Sequence, residues 1–286
     1  MTPHLPRRTP AAHAATPRVA IWQKSWYTCF MNIQKEFPIL EYDNDKNALI
    51  RPSNILQSLD IAARCVLCFF KESIEKALAE FPHKTVSEFR AGTARIPIYE
   101  LEYKDARIVL IEAMVGAPLA AAQIEELSAL GCRKFIACGM CGVLAKELAV
   151  GKLIIPICAV RDEGTSYHYI APSREISADE RVTKIIENVF SERKIPYVKA
   201  KTWTTDAFYR ETPSKIALRK SEGCVAVEME NSAYVAAAQY NDVMFGQILC
   251  AGDSLAGELW DSRQYQSRTD IQELAFKLAI EICLKL

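Results

Sequence analysis

No stretch of this 286-residue sequence stays apolar for the roughly 20 residues that a bilayer-spanning helix requires; runs such as Ile154 to Val160 are interrupted well before that. A transmembrane helix is therefore not expected. Net charge is missing too: Lys+Arg and Asp+Glu balance at 35 each, so no overall basic field exists to hold a nucleic-acid backbone or an anionic membrane. Neither is an expected partner. Internal repeats, low-complexity tracts and linkers are absent from the body of the chain. At 50% apolar and 24% charged residues, the composition excludes a disordered or collagen-like polymer. Cysteine is plentiful, with ten, but Cys65, Cys68, Cys158 and Cys250 sit in apolar strand-like runs, the pattern of reduced core residues in a cytoplasmic protein. Cys138 and Cys141 form a C-x-x-C, yet no second cysteine pair or histidine stands at zinc spacing. No metal is expected, and the pair reads as part of a glycine turn.

The first thirty residues differ from the rest. Arg7, Arg8, Arg18 and Lys24 occur there without any Asp or Glu, among repeated Pro, Ala and Thr. Such composition fits an organelle-targeting leader, or an over-extended reading frame whose true start is Met31. Either way, residues 1–30 are expected to carry little structure and no chemistry. Residues 31–286 read as one domain.

From Ile61 onward, short β-like runs alternate with helix-period segments. Strands are expected at Ala63 to Phe69, Ile96 to Leu101, Arg107 to Glu112, Lys134 to Cys138, Leu153 to Val160, Tyr197 to Thr202 and Val243 to Cys250. Helices are expected at Lys71 to Glu80, Pro118 to Leu130, Ala178 to Phe190, Pro213 to Ser221, Asn231 to Tyr240 and Asp270 to Leu284. In the second of these, Ala120, Ile124 and Leu127 share a face, Pro118 suits the first turn and Gly131 supplies a stop. Asp270 is expected to cap the last. The alternation implies an α/β fold of three layers, a central mixed and largely buried sheet flanked by helices.

The residues that bear chemistry lie where α/β sheets bind ligands, at strand ends. One strand runs into Val115-Gly116-Ala117-Pro118 and another into Gly139-Met140-Cys141-Gly142, where glycine lets backbone approach a ligand and exposed N–H groups favour anions. Neither turn matches a Walker or dinucleotide fingerprint. Further on come Gly164-Thr165-Ser166-Tyr167-His168-Tyr169, Thr204 to Glu211, Val227-Glu228-Met229-Glu230-Asn231 and Ala251-Gly252-Asp253-Ser254. In this order and spacing, from about Ala63 to the C-terminus, the segments resemble the nucleoside phosphorylase family. That family includes hexameric purine nucleoside phosphorylases, uridine phosphorylases and methylthioadenosine nucleosidases.

The resemblance implies roles that physical need supports. Two adjacent ribose hydroxyls are best met by a carboxylate accepting from both, and Glu230 matches that residue, with Met229 packing beneath the sugar. Glu230 is expected to be accessible in the cleft, so that its loss leaves folding intact. Phe208 is expected to stack on the base. Cleavage of an N-glycosidic bond needs a proton donor at the departing base, and Asp253 matches the acid of the purine-acting members. Gly116, Gly139 and Met140 would form the anion turn, with Arg95 as a cation.

The chain also departs from the family. Typical phosphorylases bind phosphate with a glycine-rich turn and an arginine after the first strand, and with a second arginine before the later glycine turn. Here stand Cys68-Phe69-Phe70-Lys71-Glu72-Ser73 and Ala137-Cys138. A desolvated dianion needs charged partners. Three readings follow: phosphorolysis of a purine nucleoside with inorganic phosphate as co-substrate and no cofactor, hydrolysis by a nucleosidase, or a catalytically weak nucleoside-binding protein. A small-molecule nucleoside is the partner in each. A homo-oligomer is expected, because sites in this family borrow side chains from a neighbour.

Overall fold

The computed structural model describes residues 33–286; the expected leader, residues 1–30, lies outside them. After a short helix α1 (Pro52–Ile55), strand β1 (Arg64–Cys68) leads into α2 (Lys71–Glu80). Strands β2 (His83–Ala91), β3 (Ala94–Tyr103) and β4 (Ala106–Glu112) form a meander ahead of α3 (Ala117–Leu130). Then follow β5 (Lys134–Val143), β6 (Leu153–Asp162), the one-turn α4 (Ser166–Tyr169), β7 (Glu175–Ser177) and α5 (Glu180–Glu192). Strand β8 (Tyr197–Thr205), α6 (Pro213–Ser221), β9 (Cys224–Glu228), α7 (Asn231–Tyr240), β10 (Met244–Ser254) and α8 (Thr269–Lys285) complete the chain. This is the expected α/β fold with a central mixed sheet.

Strand β1 lies between β4 and β5, parallel to both, and β3 and β2 extend the sheet antiparallel beyond β4. On the other side the sheet closes on itself. Strand β5 pairs with β10, β10 with β6, β6 with β8, β8 with β9, and β9 returns to β5. The period-2 alternation of side chains feeds two helical layers. Val66, Cys68, Ile136 and Ile248 meet apolar residues of α2, α5 and α8, whereas Cys65, Leu67, Phe135 and Phe245 meet those of α3 and α7. A third cluster, including Val143, Ile154, Ala226 and Leu249, fills the closed part of the sheet.

Sequence boundaries hold where caps are strong. Pro118 occupies the first turn of α3, and Gly131, at φ 136°, ends it with its N–H on the carbonyl of Leu127. Asp270 is not a cap: it lies inside the first turn of α8, paired with Arg268. The larger correction concerns Gly139 to Gly142. No turn forms there; β5 runs straight through to Val143, in register with β10 from Met244 to Ala251. The glycines serve close packing, since a Cβ on Gly139 would stand 2.9 Å from the Phe69 ring and one on Gly142 would stand 2.9 Å from Leu255 and 3.0 Å from Val227. Gly142→Ala should therefore destabilise the protein by about 1 to 3 kcal/mol. A denaturant midpoint equal to that of the parent would contradict this packing. Cys138 and Cys141 fall on opposite faces of β5, one in the outer core and one in the closed part, as free buried thiols.

Candidate active site

The chain after β1, the second half of β5, the β9–α7 junction and the end of β10 open onto one cleft of about 1090 Å³. The junction is built around Glu228, only 5% exposed. Its Oε1 accepts from the hydroxyls of Thr204 at 2.6 Å and Thr202 at 3.2 Å, while Oε2 accepts the N–H groups of Glu230 and Asn231. It thereby satisfies donors at the start of α7, a helix-capping duty of the kind carboxylates serve at a positive dipole end. Burial raises its carboxyl above the usual range despite these bonds.

Two residues on, Glu230 turns into the cleft. It is 6% exposed, not surface-accessible as expected, and its carboxyl is held by backbone: Gly116 N–H donates to Oε1 at 2.7 Å and Met229 N–H to Oε2 at 3.3 Å. Burial first, then the nearby charge of Glu228, push its carboxyl up to about 8. Among the described residues no arginine opposes those effects, and the place before Gly139 holds Ala137 and Cys138. Met229 lines the cleft next to it.

At the mouth, the one-turn 3₁₀ segment Phe208–Arg210 presents Phe208, 50% exposed and tilted against Tyr209 with centroids 4.1 Å apart. Opposite, Asp253 near the end of β10 accepts the Trp260 indole N–H on Oδ2 at 2.8 Å. Glu211 lines the same end of the cleft, and no donor among the described residues reaches its carboxyl. Burial and then the charge of Asp253 push it up to about 7.

The structure thus brings Phe208, Met229, Glu230, Asp253, Gly139 and Met140 together along one cleft, with Gly116 hydrogen-bonded to its carboxylate. Arg95 is not among them. It stands at the β2–β3 hairpin, exposed and 3.5 Å across the strand pair from Glu88, which also pairs with Arg90 two residues along its own strand. His168 lies on α4, away from the lining residues. Among the lining groups sequence reasoning missed are Glu211, Trp260 and Gln247. Gln247 is 3% exposed, its Oε1 accepts from Asn231 at 2.6 Å, and its Nε2 has no partner. Among the described lining residues Lys71, at the start of α2, is the one cation, against Glu72, Glu211, Glu228, Glu230 and Asp253.

The chain is 27% identical over 173 residues to a guanosine phosphorylase of Halorubrum lacusprofundi, covering 60% of this chain and 71% of that one. Its fold matches a uridine phosphorylase of Vibrio fischeri with a TM-score of 0.68 at 20% identity, over 84% of this chain and 100% of that one. It matches an AMP nucleosidase of Bacteroides thetaiotaomicron with a TM-score of 0.64 at 20% identity, over 81% and 90% of the two chains. The family model of the phosphorylase superfamily covers residues 63–285, from the strand before the cleft to the end of the final helix. With the cleft and nearly the whole sheet inside that span, the chain belongs to the phosphorylase superfamily.

Proposed function

We propose that this protein cleaves the N-glycosidic bond of a purine nucleoside and passes the ribosyl group to inorganic phosphate. The observation that carries the reading is the shared cleft of Glu230 with Met229 at one part and Phe208 with Asp253 at another. The carboxylate takes the two ribose hydroxyls, the ring of Phe208 leaves Tyr209 to stack on the base, and the acidic end protonates the base as it departs. The relatives named phosphorylases favour phosphate as acceptor. Lys71 and the N–H groups opening α2 are what this chain offers a phosphate. In a homo-oligomer, the exposed Arg90 and Arg95 hairpin of a second copy adds the cations that one copy lacks in its cleft.

A second reading has water as acceptor. The excess of carboxyl groups over cations around the cleft favours it, because a phosphate dianion is repelled where water is not. Base release from guanosine, adenosine and uridine, assayed with and without phosphate, separates the readings. Phosphorolysis is expected to give purine release that needs phosphate and yields ribose 1-phosphate. Release at equal rates without phosphate would establish hydrolysis, and binding without release would leave a nucleoside-binding protein.

A further inference from the structure

The acidic end of the cleft holds two carboxyl groups, one of which the sequence did not point to. Asp253 has an oxygen engaged by the Trp260 indole N–H at 2.8 Å. That oxygen already has a hydrogen-bond donor of its own. Glu211 is the opposite case. It follows Phe208 and Tyr209, the aromatics at the mouth, it is half-buried, and no donor among the described residues touches either of its oxygens. No hydrogen bond from the described residues stabilises its negative form, and burial and a neighbouring carboxylate oppose it.

We propose that Glu211, which shares the acidic end of the cleft with Asp253, is the group that gives the departing purine its proton. Asp253 acts through Glu211 as a positioning residue. The inference rests on the nucleoside-cleaving reading above. In the step, the C1′–N9 bond breaks and its electron pair stays with the base. The carboxyl proton of Glu211 passes to N7, leaving a neutral purine and the Glu211 carboxylate. The oxygen of phosphate or water bonds to C1′, and the proton that acceptor sheds returns through solvent to Glu211. Burial and Asp253 push Glu211 up to about 7, which suits a general acid working near neutral pH. The other charged groups along the cleft are Lys71 and Glu72 from α2 and Glu228 and Glu230 from the β9–α7 junction.

The test compares guanosine with 7-methylguanosine at mildly acidic pH, where the methylated base is already cationic and leaves without a proton. Glu211→Gln should lower kcat for guanosine by about a hundredfold or more, the usual worth of a general acid, and leave 7-methylguanosine cleavage within a few-fold of the parent. Equal losses on both nucleosides would make Glu211 a merely structural residue, and undiminished guanosine cleavage would remove it from the chemistry; either result overturns the inference. If the unaltered protein cleaves neither nucleoside, the functional reading itself fails. Glu211→Asp, which keeps an acid on a shorter arm, should restore part of the guanosine rate, and no restoration would count against proton donation.

Discussion

Asparagine at position 253 should cut turnover of a purine nucleoside by about a hundredfold or more near neutral pH, while KM changes only a few-fold. The substitution keeps the side chain's size and an oxygen for the Trp260 indole, so the end of β10 has no reason to move. What disappears is the negative charge that raises Glu211. Without it, Glu211 ionises at lower pH, and the base has to leave unprotonated under conditions where the parent supplies a proton. The alkaline decline of kcat should therefore shift to lower pH in Asp253→Asn, and part of the lost rate should return on acidification. Glu211→Gln should not recover in this way. A uridine-like nucleoside, whose base offers no basic N7, should be nearly indifferent to either change. Full purine activity in Asp253→Asn, with an unmoved pH profile, would reduce Asp253 to a strand residue.

Glu230→Gln should weaken nucleoside binding by about 10- to 100-fold, as expected when two hydroxyls lose a charged acceptor worth about 1.5 to 3 kcal/mol. It should also make the free protein more stable at alkaline pH. The folded chain holds the Glu230 proton up to about 8, whereas an unfolded glutamate releases it near about 4.3. The folded state therefore binds more protons across that interval. Its stability is full below the lower value and declines as pH rises through the upper one. Glutamine removes the ionisation, so its melting temperature should match the parent near about pH 5 and exceed it near about pH 9. Glu228 shifts in the same direction and stays in both proteins, so the difference isolates position 230. Because the ribose hydroxyls favour the carboxylate form, nucleoside binding to the parent should release protons near neutral pH, readable by titration calorimetry in buffers of different ionisation heat. Unchanged affinity in Glu230→Gln would end the ribose assignment.

The parts of the fold legible in the sequence are those whose signal is local. Lys71–Glu80, Pro213–Ser221 and Asn231–Tyr240 are helices within the bounds their periodicity and stops suggested, and the apolar runs around Val66, Leu110 and Ile155 are strands. Strand β2 carried no such signal. It is the sheet edge, with His83, Lys84 and Thr85 all exposed and Phe89 its one fully buried residue, so no alternation marks it. Strand β9 has only five residues, and the end of β5 was hidden by glycines that normally announce a turn. For the candidate site the division is similar. Phe208, Met229, Glu230 and Asp253 stand in short contiguous motifs that a family resemblance picks out. Glu211 draws its character from burial and then from Asp253, and Asp253 draws a partner from Trp260 by way of a loop, none of which any local pattern encodes. Arg95 failed as a cleft residue because its strand partner and its ion pair hold it at the hairpin.

The ring formed by β5, β10, β6, β8 and β9 has a consequence for how the chain is made. Strand β5 must wait for β9 and β10 to leave the ribosome before its outer edge is paired, and β10 ends at Ser254, close to the C-terminus. At ordinary elongation rates, that wait is on the order of ten seconds. Throughout it, the apolar run from Phe135 to Cys138 is an open strand edge, the kind of surface that recruits chaperones or pairs with another nascent chain. Yield in a cell should therefore depend on translation speed and temperature more steeply than the stability of the finished protein would suggest.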